Sequence, residues 1–333
     1  MALPDQPRHP RPAHPLRPRA TAWLLAATIL WALSFPLAKA LFLLQNRLIP
    51  GADGWFLVAV SLVFRFGLAA VATALGTART WGTLTRKELS QGVALGLFAA
   101  GGMLLQMDGL NYTAASTSAF LTSCYCVIIP VIVAVQRRRL PPVLVVGCCA
   151  LVLVGMGVLA GIDWRTLRLG RGEWETIACS SFFAGQIFWL ERPAYAANRT
   201  GHTTAIMFAT LALIALPVAL GRAGGAGPLV AAVAGTPAIF ALLLALTLFC
   251  TLTTFSLMNH WQKYLEATEA GLIYCAEPVW TSLFSLCLPG WLALWTGVAY
   301  ANERATLPLL VGGGLITLAN VCLQLRPRAV TPV

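Results

Sequence analysis

The sequence predicts an all-α membrane protein of ten transmembrane helices arranged as two inverted five-helix repeats. Three observations predict it. Of 333 residues, 58% are hydrophobic and only 11% charged, with a mean hydropathy of +0.75, whereas a soluble domain carries about 25% charge. Apolar runs of about 18–25 residues recur along the chain, each long enough to cross a hydrocarbon core of about 30 Å. A constant shift of 152 residues lays part of one half on the other, as in Tyr112 on Tyr264. Helices are the expected element, because a chain in lipid must satisfy its own backbone hydrogen bonds. The alternating segments of about ten residues that mark a β-barrel are absent.

The ten spans fall at 21–44, 55–76, 91–110, 115–136, 142–161, 173–191, 203–220, 237–260, 270–289 and 306–325. Before the first lies a basic, proline-rich stretch, residues 1–20, with Arg8, Arg11, Arg17 and Arg19. It reads as a disordered cytoplasmic arm that sets topology and touches anionic lipid. It is not a cleavable signal peptide, because the first apolar run is of spanning length and no small-residue cleavage site follows it. Residues 21–161 form the first five-helix repeat, 172–326 the second, and 327–333 a cytoplasmic tail.

The net charge of +11 does not point to nucleic acid, because Lys and Arg sit at the ends of the apolar runs. With the N-terminus inside, the outer loops hold Arg47, Arg165, Arg168, Arg171, Arg222 and Arg304. Lys39 and Arg65 lie within spans, and all other basic residues, including Arg137, Arg138 and Arg139, fall inside. This bias places both termini in the cytoplasm of a cell bounded by this inner, or plasma, membrane. The nine cysteines fall almost entirely in apolar runs, without metal-ligand spacing to a histidine, and read as small packing residues.

The 152-residue shift also places Ala115 on Ala267, Ser116 on Thr268, Tyr125 on Glu277 and Val127 on Val279. Five spans is an odd number, so the second half enters the membrane from the opposite side. Inverted repeats of this kind place a substrate site near the midplane where the halves meet.

The run Gly109-Leu110-Asn111-Tyr112-Thr113-Ala114-Ala115-Ser116, then Ala119-Phe120-Leu121-Thr122, with Gln106 upstream, resembles the first-half signature of the EamA family. That family belongs to the drug/metabolite transporter superfamily. Glu277-Pro278-Val279-Trp280 resembles its second-half signature, and Trp31-Ala32-Leu33-Ser34-Phe35-Pro36 with Lys39 its first helix. Arg65-Phe66 resembles its second helix, and Glu303-Arg304-Ala305-Thr306 the segment before its last. The resemblance covers about residues 21–326. It implies alternating-access transport of small polar metabolites, amino acids and related compounds among them, with export common. The chain departs from the family in two places. Residues from Pro289 to Tyr300 are additional, with a helix break expected at Pro289-Gly290, and Asp108 stands where the family has an apolar residue.

Glu277 is the leading candidate site residue, because a carboxylate in a span is costly unless paired or functional. Its bland alternative is a structural pair with a backbone donor or with Arg65. Pro278 removes a backbone donor and opens the helix beside it. Gln106 and Asp108 end the third span, and Asp108 is either a second acidic site or simply at the water interface. Asn259 and His260 end the eighth span, the counterpart of the third. His260 titrates near neutral pH or rests at headgroup level. Lys39 and Arg65 bind a substrate carboxylate, pair with Glu277, or hold structure. Tyr125, Tyr274, Trp31 and Trp280 line a cavity or pack. Gly312, Gly313 and Gly314 permit close helix packing.

No Walker A segment, HExxH or dinucleotide fingerprint is present, and no nucleophile is paired with a base. The chain is therefore read as a non-enzyme without cofactor or metal. Its expected partners are a small-molecule substrate and the bilayer. The reading is a secondary transporter, in the direction of export, with proton coupling through Glu277. Uptake, a non-transporting receptor or scaffold, and a lipid-acting membrane enzyme are the competing readings. Substrate, coupling ion and pairing as a homodimer stay open.

Overall fold

The structure is a computed structural model that describes residues 15–138, 142–159, 169–265 and 267–324. Most of the basic arm, Arg139, Arg165, Arg168 and the tail at 327–333 lie outside the described residues. Every described element is helical. The chain begins with α1 (Arg17–Leu48), α2 (Gly54–Gly76) and α3 (Arg86–Tyr112). At 32 residues and 1.5 Å per residue, α1 is about 48 Å long, longer than a hydrocarbon core. The Asp53 carboxylate caps α2 by accepting from the Trp55 N–H at 2.7 Å. A capping box starts α3, with Thr85 and Glu88 exchanging side-chain and backbone bonds.

The fourth stretch is two helices, α4 (Ala115–Thr122) and α5 (Tyr125–Arg137), and α6 (Val143–Leu159) follows. The second half opens with α7 (Arg171–Leu190), α8 (Thr200–Arg222) and the short α9 (Ala226–Ala234). Then α10 (Pro237–Thr247) runs through a π-helical turn, Leu248–Thr253, into α11 (Thr254–Trp261). The chain ends with α12 (Ala267–Tyr274), α13 (Glu277–Ser285), α14 (Leu288–Thr296) and α15 (Leu307–Gln324). Among the described residues, six helical stretches are long and apolar enough to cross a membrane, and a seventh if bent α13–α14 counts as one. The apolar parts of α6 and α15 are shorter, and α7 carries Arg171, Glu173 and Glu175 in its first turns.

Two breaks differ from the unbroken spans expected. The fourth stretch breaks at Ser123–Cys124 and the ninth at Cys275–Ala276. At the second, Pro278 has no N–H to give the Tyr274 carbonyl, so helix bonding lapses there. The first has no proline at the break. Its amides turn to shorter-range bonds, Ser123 to Phe120 and Cys124 to Leu121, and the Ser123 hydroxyl bonds back to the Ala119 carbonyl.

The bend expected at Pro289-Gly290 falls three residues earlier, at Leu286-Cys287. α13 and α14 meet at 53°, and Pro289 lies in the first turn of α14, where a missing N–H costs nothing. The Ser285 carbonyl, which Pro289 cannot serve, accepts from the Glu303 N–H at 2.8 Å. α14 closes at Gly297, whose φ of 71° suits glycine.

The strongest helix packing runs between α2 and α8, α3 and α7, α3 and α8, and α6 and α15. Glycines on α3 allow it: a Cβ on Gly109 would meet the Gly172 carbonyl at 2.8 Å. In α15 a Cβ on Gly313 would meet Phe120 at 2.7 Å, as close packing requires, while Gly314 faces open space.

Candidate functional site

A small cavity of about 50 Å³ lies between the helices, well below the 300–1,000 Å³ of open small-molecule sites. It is lined from α1, α2, α3, α7 and α11, and from both broken stretches. Six of the eleven predicted site residues meet here: Trp31, Arg65, Gln106, Tyr125, Tyr274 and Glu277.

The 152-residue shift organises this lining. Trp31 and Ser34 on α1 map onto Phe183 and Gln186 on α7. Met103 and Gln106 on α3 map onto Phe255 and Met258 on α11. Thr122 and Tyr125, flanking the first break, map onto Tyr274 and Glu277, flanking the second. All twelve residues line the same cavity. Twelve of the sixteen lining residues thus pair under the shift, while the charges do not match. Arg65 maps onto Pro217, and Glu277 onto Tyr125.

Arg65 is buried and donates from Nε and Nη2 to the Thr251 hydroxyl, at 3.2 and 3.0 Å. Among the described residues its Nη1 meets only the Met107 sulfur, at 3.8 Å. Glu277 is buried at the start of α13. Among the described residues, no hydrogen bond or ion pair reaches its carboxyl group, and the structural alternative, a pair with Arg65, is not made. A guanidinium and a carboxyl group thus share one cavity without touching each other. Holding the guanidinium away from water is costly unless a partner arrives.

The other polar groups are partly committed. Gln106 donates to the Thr122 hydroxyl at 3.1 Å. The Tyr274 hydroxyl donates to Gln262 at 2.8 Å, and Gln262 donates to the Ile187 carbonyl at 2.9 Å. The Tyr125 hydroxyl and the Trp31 indole N–H are buried without a hydrogen-bond partner among the described residues. Trp31 packs edge-on against Tyr274 and Phe255, with ring centroids 5.4 and 5.5 Å away.

Five predicted residues lie elsewhere. Lys39 donates to the carbonyls of Leu110, Asn111 and Thr113 at 2.5, 3.0 and 3.1 Å, so it caps the end of α3 rather than facing Glu277. Asp108 is buried in an ion pair with Arg171. It lies two residues past Gln106, about 200° around the helix, and so faces away from the cavity. Asn259 donates to the Thr204 hydroxyl at 3.0 Å, behind the lining residue Met258. His260 is exposed, against Trp261 in a surface groove with Trp23. Trp280 is half-buried and is not part of the lining. The sequence reading missed Phe183, Met258 and Thr122, which the same shift finds from Trp31, Gln106 and Tyr274, and it missed Ser34, Gln186, Met103 and Phe255, whose shift partners were not candidates either. Thr251 and Cys250, placed by the π-helical turn, carry no such signal. No cluster of three or more His, Cys, Asp or Glu suited to a metal occurs among the described residues.

The chain is similar to a protein of Archaeoglobus fulgidus named "Uncharacterized transporter", 26% identical over 239 residues, covering 72% of this chain and 70% of the relative. It also shares its fold with a solved crystal structure described only as that of a protein. The TM-score is 0.59 and the identity 20%, over 94% of this chain and all of the other. No family model matches the chain.

Proposed function

We propose that the protein is a secondary transporter that carries a small zwitterionic metabolite, such as an amino acid or related compound, out of the cell by alternating access. The observation that carries this is the cavity lined by shift-related residues from both halves. Further support comes from the multi-span helical architecture, the similarity to a named transporter, and the EamA-like motifs on the lining.

On this reading the ten helical stretches are two inverted repeats in the cell membrane, with both termini in the cytoplasm. The helix contacts fit that symmetry. Exchanging each stretch with its counterpart turns the α3–α7 contact into the α1–α11 contact, and the α2–α8 and α6–α15 contacts into themselves. Arg65 takes the carboxylate of the substrate, and Glu277 its ammonium group. The aromatic and methionine walls hold the apolar body. Substrate ammonium and proton compete for Glu277, which couples the cycle to a proton gradient.

The test compares cells expressing wild type, Glu277→Gln and Arg65→Met at equal membrane levels, by untargeted metabolite profiling of medium and cytosol. A zwitterionic compound enriched in the medium with wild type alone is the expected result. Enrichment that both variants retain removes the assigned roles. No difference between wild type and empty cells, inward or outward, removes transport.

A further inference from the structure

We propose that Glu303 and Glu191 are latches at opposite faces of the protein, each holding one short half-helix shut. This rests on the transporter reading above. The joints in question are the α3–α4 joint and the joint before α12, which the 152-residue shift superimposes, since Tyr112 and Ala115 map onto Tyr264 and Ala267. At the first joint Glu303 accepts from the Ser116 amide at 3.3 Å and also from the Ser116 hydroxyl. At the second, Glu191 accepts from the Ala267 amide at 3.1 Å.

Neither acid belongs to the helix it caps. Glu303 comes from 187 residues along the chain and Glu191 from 76. Each carboxylate meets amides that an α-helix leaves unsatisfied at its start, where the helix dipole favours negative charge. The shift supplies independent support: Lys39 maps onto Glu191. Lys39 holds the carbonyl side of the first joint, and Glu191 the amide side of the second. Equivalent positions thus hold equivalent joints, with the charge reversed to suit the group held.

α4 and α12 are each eight residues long. Each has its latched end at a joint and its other end at a helix break, beside the lining residues Thr122 and Tyr274. Each is a short lever between a face of the protein and the cavity. Both latches are made in this structure. Releasing Glu303 frees α4 and opens the cavity on one side; releasing Glu191 frees α12 and opens it on the other.

Cys250 lines the cavity and serves as the reporter. A small membrane-impermeant thiol reagent is added to right-side-out or inside-out vesicles holding the full chain. The labelling rate of the Cys250 peptide is read by mass spectrometry, with Cys250→Ala as the background control. Glu303→Gln is expected to raise the rate about fivefold or more from one side only, and Glu191→Gln from the other side only. Ser116→Ala, which removes the hydroxyl bond alone, is expected to act like a weaker Glu303→Gln and guards against a misfolded variant. Unchanged rates in all three variants overturn the proposal, as does a rise from both sides in each. Side-specific opening in a protein that moves no metabolite would keep the latches and remove the transport reading.

Discussion

Gly109→Ala, compared with Gly147→Ala, tests the helix packing on which the cavity depends. Both changes add one methyl group inside a helix, and both gain the same intrinsic preference of alanine over glycine, about 1 kcal/mol. Their surroundings differ. A Cβ on Gly109 would stand 2.7 Å from the Thr176 hydroxyl and 2.8 Å from the Gly172 carbonyl. A Cβ on Gly147 would meet nothing within 4 Å. Backbone cannot swing aside as a side chain does, so α7 must retreat by about 0.6 Å to restore ordinary contact at 3.4 Å. Overpacking of this kind costs about 1–3 kcal/mol. Because the intrinsic term is common to both, the difference in stability between the two variants isolates the overpacking. It should be about 1–3 kcal/mol, with Gly109→Ala the weaker. The assay is reversible unfolding of the purified protein in mixed detergent micelles, followed by tryptophan fluorescence. Equal stabilities within about 0.5 kcal/mol would refute the close α3–α7 approach, and with it the cavity that both helices line.

Other outcomes follow from the same structure. Glu88 is buried and binds Arg199 through Nε at 2.7 Å and Nη2 at 2.9 Å, as well as the Thr85 amide. Arg199 is itself 39% exposed, so Glu88→Ala should cost about 1–3 kcal/mol in the same unfolding assay, whereas Glu277→Gln, which loses no partner among the described residues, should leave stability within about 0.5 kcal/mol. Arg171→Met strands the buried Asp108 carboxylate, so adding Asp108→Asn should recover stability; a double variant as weak as the sum of the singles would contradict the pair. Asp53 outside the spans feels slight desolvation, which raises its pKa, but the Trp55 amide and the Arg222 guanidinium outweigh it and hold the carboxyl below its ordinary value. The folded group then titrates lower than the unfolded one. Its contribution is complete above about pH 4 and fades as pH falls through the folded value. Asp53→Ala should therefore cost about 1 kcal/mol at neutral pH, and the gap to wild type should close on acidification.

Parts of the site were legible because they depend on position along the chain. Glu277 was found from the cost of a carboxylate in a span, and Tyr125 from its alignment on Glu277. The residues that misled were polar groups near span ends. Lys39, Asp108 and Asn259 are all satisfied by groups far away in sequence: carbonyls of 110–113, Arg171 and Thr204. Asp108 was separable from Gln106 by helix geometry alone, since two residues turn about 200°. Lys39 was not, because nothing in its own helix says which neighbouring helix ends beside it.

The sequence by itself determined the solvent, the helical class and the internal shift. Those follow from transfer free energies and backbone hydrogen bonding, which act on each segment without reference to the others. The same shift, read further, relates α4 to α12 and places the two breaks in register. Only the tertiary structure decided that Arg65 rests on Thr251, 186 residues on, that Glu277 faces the cavity without a partner among the described residues, and that Glu303 reaches Ser116. In water an amphipathic stripe would reveal which face of each helix is inside. In lipid both faces are apolar, so rotation and depth are set by close packing of small residues between helices, and that packing exists only once the bundle is assembled.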